Sequence, residues 1–281
     1  MKLKEKLALN YIRTKFKLLS MVSKRKTAEK AFELFCTPFT KSPNRMRTIF
    51  ESAEILNFKL NGLNIQGYRW NKNNPHKVLI LHGFGSAAHN FNWYIIAMLE
   101  KGYQVLAFDA PAHGNSEGRT VNAMQYCEMI KTIINLYGPV NGFIAHSFGG
   151  IALSLAMEKI IHDHHTKIVF IAPATETTTA IDSAFKLLQI DDEMIRTEFD
   201  RIIFEKGGYP PRWYSMKRAI KNIKASILWI HDEDDDVTPL KDALQVKKEG
   251  YTNIEFVITK GLGHRKIYRD TTVQNKITEF L

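Results

Sequence analysis

From residue 52 to its end, the 281-residue chain alternates short apolar runs with segments of helical pattern. Several runs contain no polar side chain, as in Val78–Leu81 and Ile168–Ile171, which is typical of strands buried on both faces. Such alternation predicts an α/β fold, with a mostly parallel central sheet covered by helices on both faces. A helix is expected over 120–137. Strands are expected over 53–60, 64–70, 77–82, 104–109, 140–145, 167–172, 227–231 and 253–259.

The sequence divides into three parts. Residues 1–50 are expected to form a basic N-terminal helical extension, and residues 51–175 together with 225–281 the α/β core. Between the two core segments, residues 176–224 break the alternation with helical, charged and aromatic sequence, and are expected to form an insertion. Three aromatic residues of the insertion would either line an acyl pocket or form its own small core: Phe185, Trp213 and Tyr214.

The positive charge lies almost entirely at the N-terminus. The formal net charge is +10, and residues 1–26 carry nine Lys or Arg against Glu5 alone. The rest of the chain is therefore close to neutral, and a nucleic-acid partner is not expected. An apolar stripe indicates a helix that docks on the main domain; the alternative is a surface helix in weak peripheral contact with anionic membranes. The stripe comprises Ala8, Ile12, Phe16, Leu19 and Val22.

The sharpest motif is Phe143-Ile144-Ala145-His146-Ser147-Phe148-Gly149-Gly150. An apolar strand leads into small-x-Ser-x-Gly and then into a helix that begins near Phe148. A sharp strand-to-helix turn lifts a serine Oγ above the sheet, and small residues at 145 and 149 let the two backbones approach. Ser147 also lies at a helix N-terminus, where N–H groups stabilise negative charge, and is the candidate nucleophile. The alternative is an ordinary strand–helix turn.

Three further loops follow strands and carry the residue types that a serine nucleophile needs. His82-Gly83-Phe84-Gly85 can supply the backbone N–H of Phe84 to an oxyanion, paired with the N–H of Phe148. An acidic loop over 231–239 and the loop that ends in His264 follow the last two strands. The order Ser, Asp, His predicts a nucleophile, an orienting acid and a general base.

These motifs resemble those of the α/β-hydrolase fold superfamily, over roughly residues 52–281, and in particular those of bacterial hydrolases. The resemblance implies that Ser147 is the nucleophile, Asp235 the orienting acid and His264 the base, and that the insertion is a lid or cap. Asp232 stands in place of the family's usual Gly and Thr238 in place of its usual Val, which leaves Asp234 as an alternative acid. The motifs are HGFG at 82–85, DAPAHGNS at 109–116, AHSFGG at 145–150, HDEDDDVTP at 231–239 and GLGHR at 261–265.

The sequence therefore predicts a serine hydrolase that cleaves a carboxylic ester or related small-molecule acyl substrate through an acyl-enzyme. No cofactor and no metal are expected. Relatives that process epoxides or haloalkanes need an aspartate nucleophile, so Ser147 disfavours those activities. Two alternatives keep the same fold: a catalytically silent binding or signalling protein, and a transacylase in which an alcohol or amine replaces water.

A dinucleotide site is a further alternative. Gly83–Ala88 fits G-x-G-x-x-A after a strand, and Asp109 ends the next strand, where a ribose-binding acid would lie. An NAD-binding oxidoreductase would leave the loops that carry Ser147 and His264 without a function. Two apparent metal motifs are also disfavoured, because Val237 interrupts the calcium-like Asp232-x-Asp234-x-Asp236 and the histidines of 162–165 lie in a polar loop.

The expected location is the cytoplasm. Cys36 and Cys127 are too few for a disulfide framework, no run of 18 apolar residues is present, and a secretory signal is not expected at the N-terminus.

Overall fold

The computed structural model describes residues 3–38 and 48–281, with the side chains of 3–5 left aside. Its central sheet has eight strands, and each lies within two residues of a predicted one. The strands are β1 (Glu54–Leu60), β2 (Leu63–Trp70), β3 (Lys77–Leu81), β4 (Gln104–Phe108), β5 (Gly142–His146), β6 (Lys167–Ile171), β7 (Ser226–Asp232) and β8 (Ile254–Thr259).

The strand order is β1-β2-β4-β3-β5-β6-β7-β8. β1 and β2 form an antiparallel hairpin and β2 runs antiparallel to β4, whereas β4 through β8 are parallel. The middle strands are buried almost throughout, as their continuous apolar sequences predict. The carboxyl ends of β3, β5, β7 and β8 therefore lie along one edge of the sheet, where the four candidate loops begin.

The helices are α1 (Leu3–Val22), α2 (Lys24–Phe35), α3 (Thr48–Glu51), α4 (Asn92–Glu100), α5 (Ala123–Tyr137), α6 (Phe148–Met157), α7 (Thr177–Leu188), α8 (Glu193–Gly207), α9 (Met216–Ala219), α10 (Leu240–Lys247), α11 (Gly263–Lys266) and α12 (Thr271–Phe280). Single 3₁₀ turns occur at Ala88–Phe91, Pro211–Trp213, Ile220–Asn222 and Ile267–Arg269. The helix expected over 120–137 begins at Ala123 because Asn122 and Gln125 form a capping box. No helix in the described ranges is long and apolar enough to cross a membrane.

The chain forms two compact units. One holds the sheet and comprises Pro38–Thr175 and Met216–Leu281; the other is helical and comprises Met1–Thr37 and Glu176–Ser215. The boundary after the insertion thus falls at Ser215 rather than at the expected residue 224. The reason is that α9 packs against α6 and so belongs with the sheet.

In the helical unit, the N-terminal extension packs on the insertion. The expected N-terminal helix is interrupted at Ser23, whose extended backbone and side chain cap α2 through the N–H of Lys26. Phe199 of α8 lies among three phenylalanine rings, those of Phe32, Phe35 and Phe185, with centroids 5.1–5.8 Å away. The apolar stripe of the extension was expected to dock on the main domain; within the helical unit, α1, which carries it, contacts α2 and the insertion helix α7.

Ion pairs accompany this packing. Lys24 Nζ lies 2.5 Å from Asp192 Oδ2, and the Arg25 guanidinium contacts Glu205 and Glu198. Part of the basic charge of the extension is therefore matched by acids of the insertion. Of the predicted stripe, Phe16 is buried, Ile12 and Leu19 are half-buried, and Ala8 and Val22 are exposed.

Candidate active site

Ser147 occupies a strained turn between β5 and α6. Its backbone has φ 53° and ψ −118°, a conformation that residues with a Cβ rarely adopt. The sequence imposes this turn because a fully buried strand ends at His146 and the next helix begins immediately at Phe148. The hydroxyl is therefore raised at the carboxyl edge of the sheet, as small-x-Ser-x-Gly predicts.

Glycines make this turn possible by letting backbones approach. A Cβ on Gly149 would lie 2.8 Å from the carbonyl oxygen of His82 and 2.9 Å from that of Leu81. A Cβ on Gly83 would lie 2.8 Å from Nδ1 of His146 and 2.9 Å from Cβ of Ser147. The HGFG loop and the serine turn are thus in direct contact, and neither glycine position has room for a side chain.

The structure brings Ser147, His264 and Asp235 together from three separate loops. His264 Nε2 lies 2.9 Å from Ser147 Oγ, and His264 Nδ1 lies 2.9 Å from Asp235 Oδ2. All three residues are buried. An ionised Asp235 can only accept a hydrogen bond, so the imidazole carries its proton on Nδ1 and presents a lone pair at Nε2 to the serine hydroxyl.

Several donors hold Asp235 in its charged form. Burial by itself raises the pKa of this carboxyl, but His264 and the backbone N–H groups of Thr238 and Val237 outweigh it, and the net pKa lies below the ordinary value. The Thr238 hydroxyl lies 2.8 Å from Asp235 Oδ2 and 3.1 Å from both His264 Nδ1 and the carbonyl oxygen of Ala172. Thr238, which replaces the usual Val, therefore adds a side-chain hydrogen bond to the Asp235 carboxylate.

The neighbouring aspartates bind backbone rather than His264. Asp234 Oδ2 accepts the N–H of Gly261, so the geometry favours Asp235 over Asp234 as the acid facing the histidine. Asp232 is fully buried and accepts from the N–H groups of Asp234, Leu262 and Gly263 and from the Thr259 hydroxyl. It ties the acid loop to the histidine loop.

The predicted oxyanion loop is fixed by two histidines. His82 Nε2 accepts the N–H of Ala110, and His113 Nε2 accepts the N–H of Gly85, each at 2.9 Å. Each of these rings therefore carries its proton on Nδ1, which lies 2.8 Å from the carbonyl of Gly83 or 2.9 Å from that of Pro111. His113 is thus a hydrogen-bonded loop residue.

Phe84 and Phe148, whose N–H groups are the predicted oxyanion donors, flank Ser147. Within residues 3–38 and 48–281, neither N–H is engaged in a hydrogen bond, and Phe148 is the first residue of α6, where helical N–H groups have no partner. Their rings meet edge to face with centroids 5.6 Å apart.

Asp109, which would bind the ribose in a dinucleotide site, instead binds the backbone of neighbouring loops. Asp109 is buried, and its two carboxylate oxygens accept the N–H groups of Ala88 and Asn115 at 2.9 Å. Burial raises the pKa of Asp109 despite these bonds. The carboxylate that would bind a ribose therefore holds the 83–88 loop in place, which argues against the NAD-dependent alternative.

The His146 side chain contacts the backbone and the ring of His264. Its ring is buried, its Nε2 lies 3.2 Å from the backbone carbonyl of His264, and its Nδ1 has no hydrogen-bond partner among the described residues. Burial, and then the proximity of His264, lower the pKa of His146 to about 3. The ring is thus neutral at neutral pH, and its Nε2–H donates to the carbonyl of His264.

The other candidate residues have structural contacts. His162 accepts the N–H of Lys224, and no group of three or more potential metal ligands occurs in the part of the chain that the structure describes. In the insertion, Phe185 and Tyr214 are buried within the helical unit, and Trp213 stacks on Tyr209 at 3.9 Å. Phe185 and Tyr214 thus belong to the insertion's own core.

Asp232, Thr238, His82 and Asp109 were not predicted as parts of the site. The one signal available for the first two was that they depart from the family's usual Gly and Val. The other two lie in the motifs that carry the resemblance, but only the fold shows that their side chains bind backbone of a neighbouring loop.

Comparison with known proteins agrees with this architecture. The model of the α/β hydrolase fold family matches residues 77–201. A Mycoplasma pneumoniae protein provisionally named esterase/lipase 2 is 24% identical over 225 residues, covering 69% of this chain and 84% of that protein. Esterase Pf2001 of Pyrococcus furiosus superposes with a TM-score of 0.65 at 16% identity, covering 87% of this chain and 98% of its own.

A further solved structure, Est1E of Butyrivibrio proteoclasticus with ferulic acid bound, gives a TM-score of 0.61 at 17% identity, over 80% of this chain and 97% of its own. The protein therefore has the α/β-hydrolase fold, and residues 77–201 match the sequence model of that family. This confirms the fold class and the resemblance that the sequence motifs predicted.

Proposed function

We propose that the protein is a serine hydrolase that cleaves a carboxylic ester or a related acyl compound. The observation that carries the proposal is the pair of 2.9 Å hydrogen bonds by which His264 links Ser147 to Asp235. A base that accepts from a serine hydroxyl, and is itself oriented by a carboxylate, is the arrangement that activates an otherwise weak nucleophile.

In the first half of the reaction, Nε2 of His264 takes the hydroxyl proton as Ser147 Oγ bonds to the acyl carbon. The carbonyl electrons move to oxygen, and the N–H groups of Phe84 and Phe148 stabilise the resulting oxyanion. When the carbonyl re-forms, the bond to the leaving oxygen breaks and His264 returns the proton to the departing alcohol. Asp235 stabilises the imidazolium in between.

In the second half, His264 removes a proton from water, whose oxygen attacks the acyl-enzyme. Collapse of that intermediate releases the carboxylic acid, and the proton returns to Ser147 Oγ. Water is thus consumed and one acid and one alcohol are formed. The two aromatic rings at the predicted oxyanion donors favour an acyl group with apolar character next to the carbonyl.

The direct test is intact-mass labelling of the folded protein with a fluorophosphonate, which phosphonylates activated serines. We expect one adduct on the wild type and none on Ser147→Ala, while Ser154→Ala, which removes a buried hydroxyl from the same helix, labels like the wild type. On an ester panel, Ser147→Ala should lose about 10⁴–10⁶ in kcat. Failure of the folded wild type to label or turn over esters would favour a silent binding protein.

The identity of the acid is tested separately. Asp235→Asn removes the only negative partner of His264 Nδ1 in the described structure and stabilises the wrong tautomer, so kcat should fall by about 10⁴. Asp234→Asn changes a carboxylate bound to Gly261 and should retain kcat within about ten-fold. The reverse ranking would assign the role to Asp234.

A further inference from the structure

The outer face of α1 carries a set of apolar side chains that are exposed in the described structure. Leu7, Tyr11, Leu18 and Val22 follow a spacing that places them along one side of the helix, and Met21 lies beside them. These five side chains are 61–79% exposed. Single exposed apolar residues are ordinary, whereas five on one helical face mark an interaction surface. We call these five residues the outer stripe.

The outer stripe is distinct from the face that packs inside the helical unit. On the inner side, Phe16 is buried and Ile12 and Leu19 are half-buried. Arg13 fixes this orientation, because its guanidinium donates to the carbonyl of Leu187 in α7 through both Nε and Nη2. The helix is therefore held with one apolar side packed and the other turned to solvent.

Uncompensated positive charge surrounds the outer stripe. Lys6, Lys15 and Lys17 are exposed and form no ion pair among residues 3–38 and 48–281. Lys24 and Arg25, by contrast, are matched by acids of the insertion. Three of the lysines that the insertion does not neutralise thus lie on the helix that exposes the apolar stripe.

We propose that α1 lies on the surface of an anionic lipid bilayer, with the outer stripe in the acyl–headgroup boundary and the lysines at the phosphates. A basic helix with an apolar face is the arrangement that binds this boundary. At 20 residues, α1 extends about 30 Å along the surface. A second copy of the chain fits less well, because pairing two such faces would bring their lysines together.

The test uses vesicle sedimentation with the full chain carrying Ser147→Ala, so that binding is read without any lipid hydrolysis. Vesicles of phosphatidylcholine alone are compared with vesicles that also contain phosphatidylglycerol. One variant combines Leu18→Asp with Val22→Asp, and a second combines Lys15→Gln with Lys17→Gln. The controls make matched changes at exposed sites of the sheet unit: Leu136→Asp with Ile161→Asp, and Lys241→Gln with Lys248→Gln.

We expect binding that requires phosphatidylglycerol. The lysine pair should weaken it about 25-fold, at about five-fold for each charge, and the apolar pair by about ten-fold or more, while both controls bind like the parent. No binding to the anionic vesicles, equal losses in the controls, or an apolar pair that binds normally would each overturn the proposal. So would sedimentation velocity showing a dimer that only the apolar pair dissociates.

A second readout does not depend on destabilising variants. Both native cysteines, Cys36 and Cys127, are buried, so a polarity-sensitive fluorophore can be placed selectively on Leu18→Cys. Its emission should shift to the blue with anionic vesicles, and a label on Ile161→Cys should not respond. An unresponsive Leu18 label would contradict insertion of the stripe. Neither readout uses ester hydrolysis, so failure of this proposal and failure of the proposed activity are distinguishable.

Discussion

At the scale of single residues, the candidate site is a set of buried polar side chains linked by hydrogen bonds to one another and to the backbone. His264 binds Ser147 and Asp235 through its two nitrogens, and its backbone carbonyl accepts from His146. Buried polar groups of this kind are costly unless they are paired, so each partner restricts the orientation of the next. The geometry at Ser147 thus depends on residues that never approach its hydroxyl.

Asp232 shows this dependence on distant residues most clearly. Burial alone raises its pKa, but the Thr259 hydroxyl and the N–H groups of Gly263, Asp234 and Leu262 outweigh burial, and the net pKa lies below the ordinary 3.8. A carboxyl whose pKa is lowered by folding stabilises the folded state above its unfolded pKa, and this stabilisation is lost as pH falls through the folded pKa.

We therefore predict that Asp232→Asn lowers the free energy of unfolding at pH 7 by about 2–4 kcal/mol, because an amide cannot accept from all four donors. The deficit relative to wild type should shrink as the pH falls below the ordinary pKa of 3.8 and through the lowered folded pKa, where the wild-type carboxyl also becomes protonated. Urea unfolding of both proteins between pH 7 and pH 3 measures this difference in the free energy of unfolding. Asp236→Asn, an exposed change in the same loop, should cost less than about 0.5 kcal/mol, and a deficit for Asp232→Asn that is independent of pH would contradict the assignment.

At the scale of elements, the serine turn is a close crossing of β5, α6 and the HGFG loop. Its sequence signal is the position of the small residues, and the structure gives the reason: a Cβ on Gly149 would meet backbone carbonyls of Leu81 and His82, which cannot move away. Gly150 is limited in the same way by Pro173. Close approach, rather than backbone freedom, requires glycine at these two positions.

Gly149→Ala should therefore destabilise the protein, although alanine is the better helix former by about 1 kcal/mol. Overpacking against fixed backbone costs about 1–3 kcal/mol, and the displaced turn should also lower kcat by ten-fold or more. Chemical denaturation and ester kinetics measure the two effects. Gly250→Ala serves as the control because open space surrounds it, so it should lose about 1 kcal/mol from its positive φ and keep kcat. A stabilised, fully active Gly149→Ala would show that the turn can relax.

The sequence predicted the elements well where one physical signal dominates. Continuous apolar runs such as Val78–Leu81 fixed the positions of the strands within two residues, because burial on both faces excludes polar side chains. The spacing of small residues around Ser147 predicted the turn, because the close approach of two backbones is also a local requirement. The side chains that hold the loops of the site were not predictable. The hydrogen bonds of Asp232 to Leu262 and Gly263 join residues 30 and 31 positions apart, and no local pattern encodes such a pairing.

At the scale of the whole molecule, the N-terminal extension and the insertion form one unit although they are separated by more than 130 residues. The amphipathic pattern of the extension predicted a packed face, with the main domain as the expected partner, but periodicity shows only which residues are buried and not against what. Within the helical unit, α1 contacts α2 and α7, and Phe199 of α8 is buried among rings of α2 and α7. The extension is therefore part of the core of the insertion.

Phe199→Ala tests whether the two compact units are also separate units of stability. Truncating this buried ring should cost about 3–5 kcal/mol, because it leaves a cavity between α2, α7 and α8. If the helical unit opens on its own, native-state hydrogen exchange should speed up by a hundred-fold or more in these three helices and remain unchanged in β3, β5 and β6. Phe204→Ala, on the exposed side of α8, should leave both regions within a few-fold of wild type. Equal acceleration in helices and strands would mean that the sheet cannot keep its stability when the helical unit is weakened, and that the units unfold together.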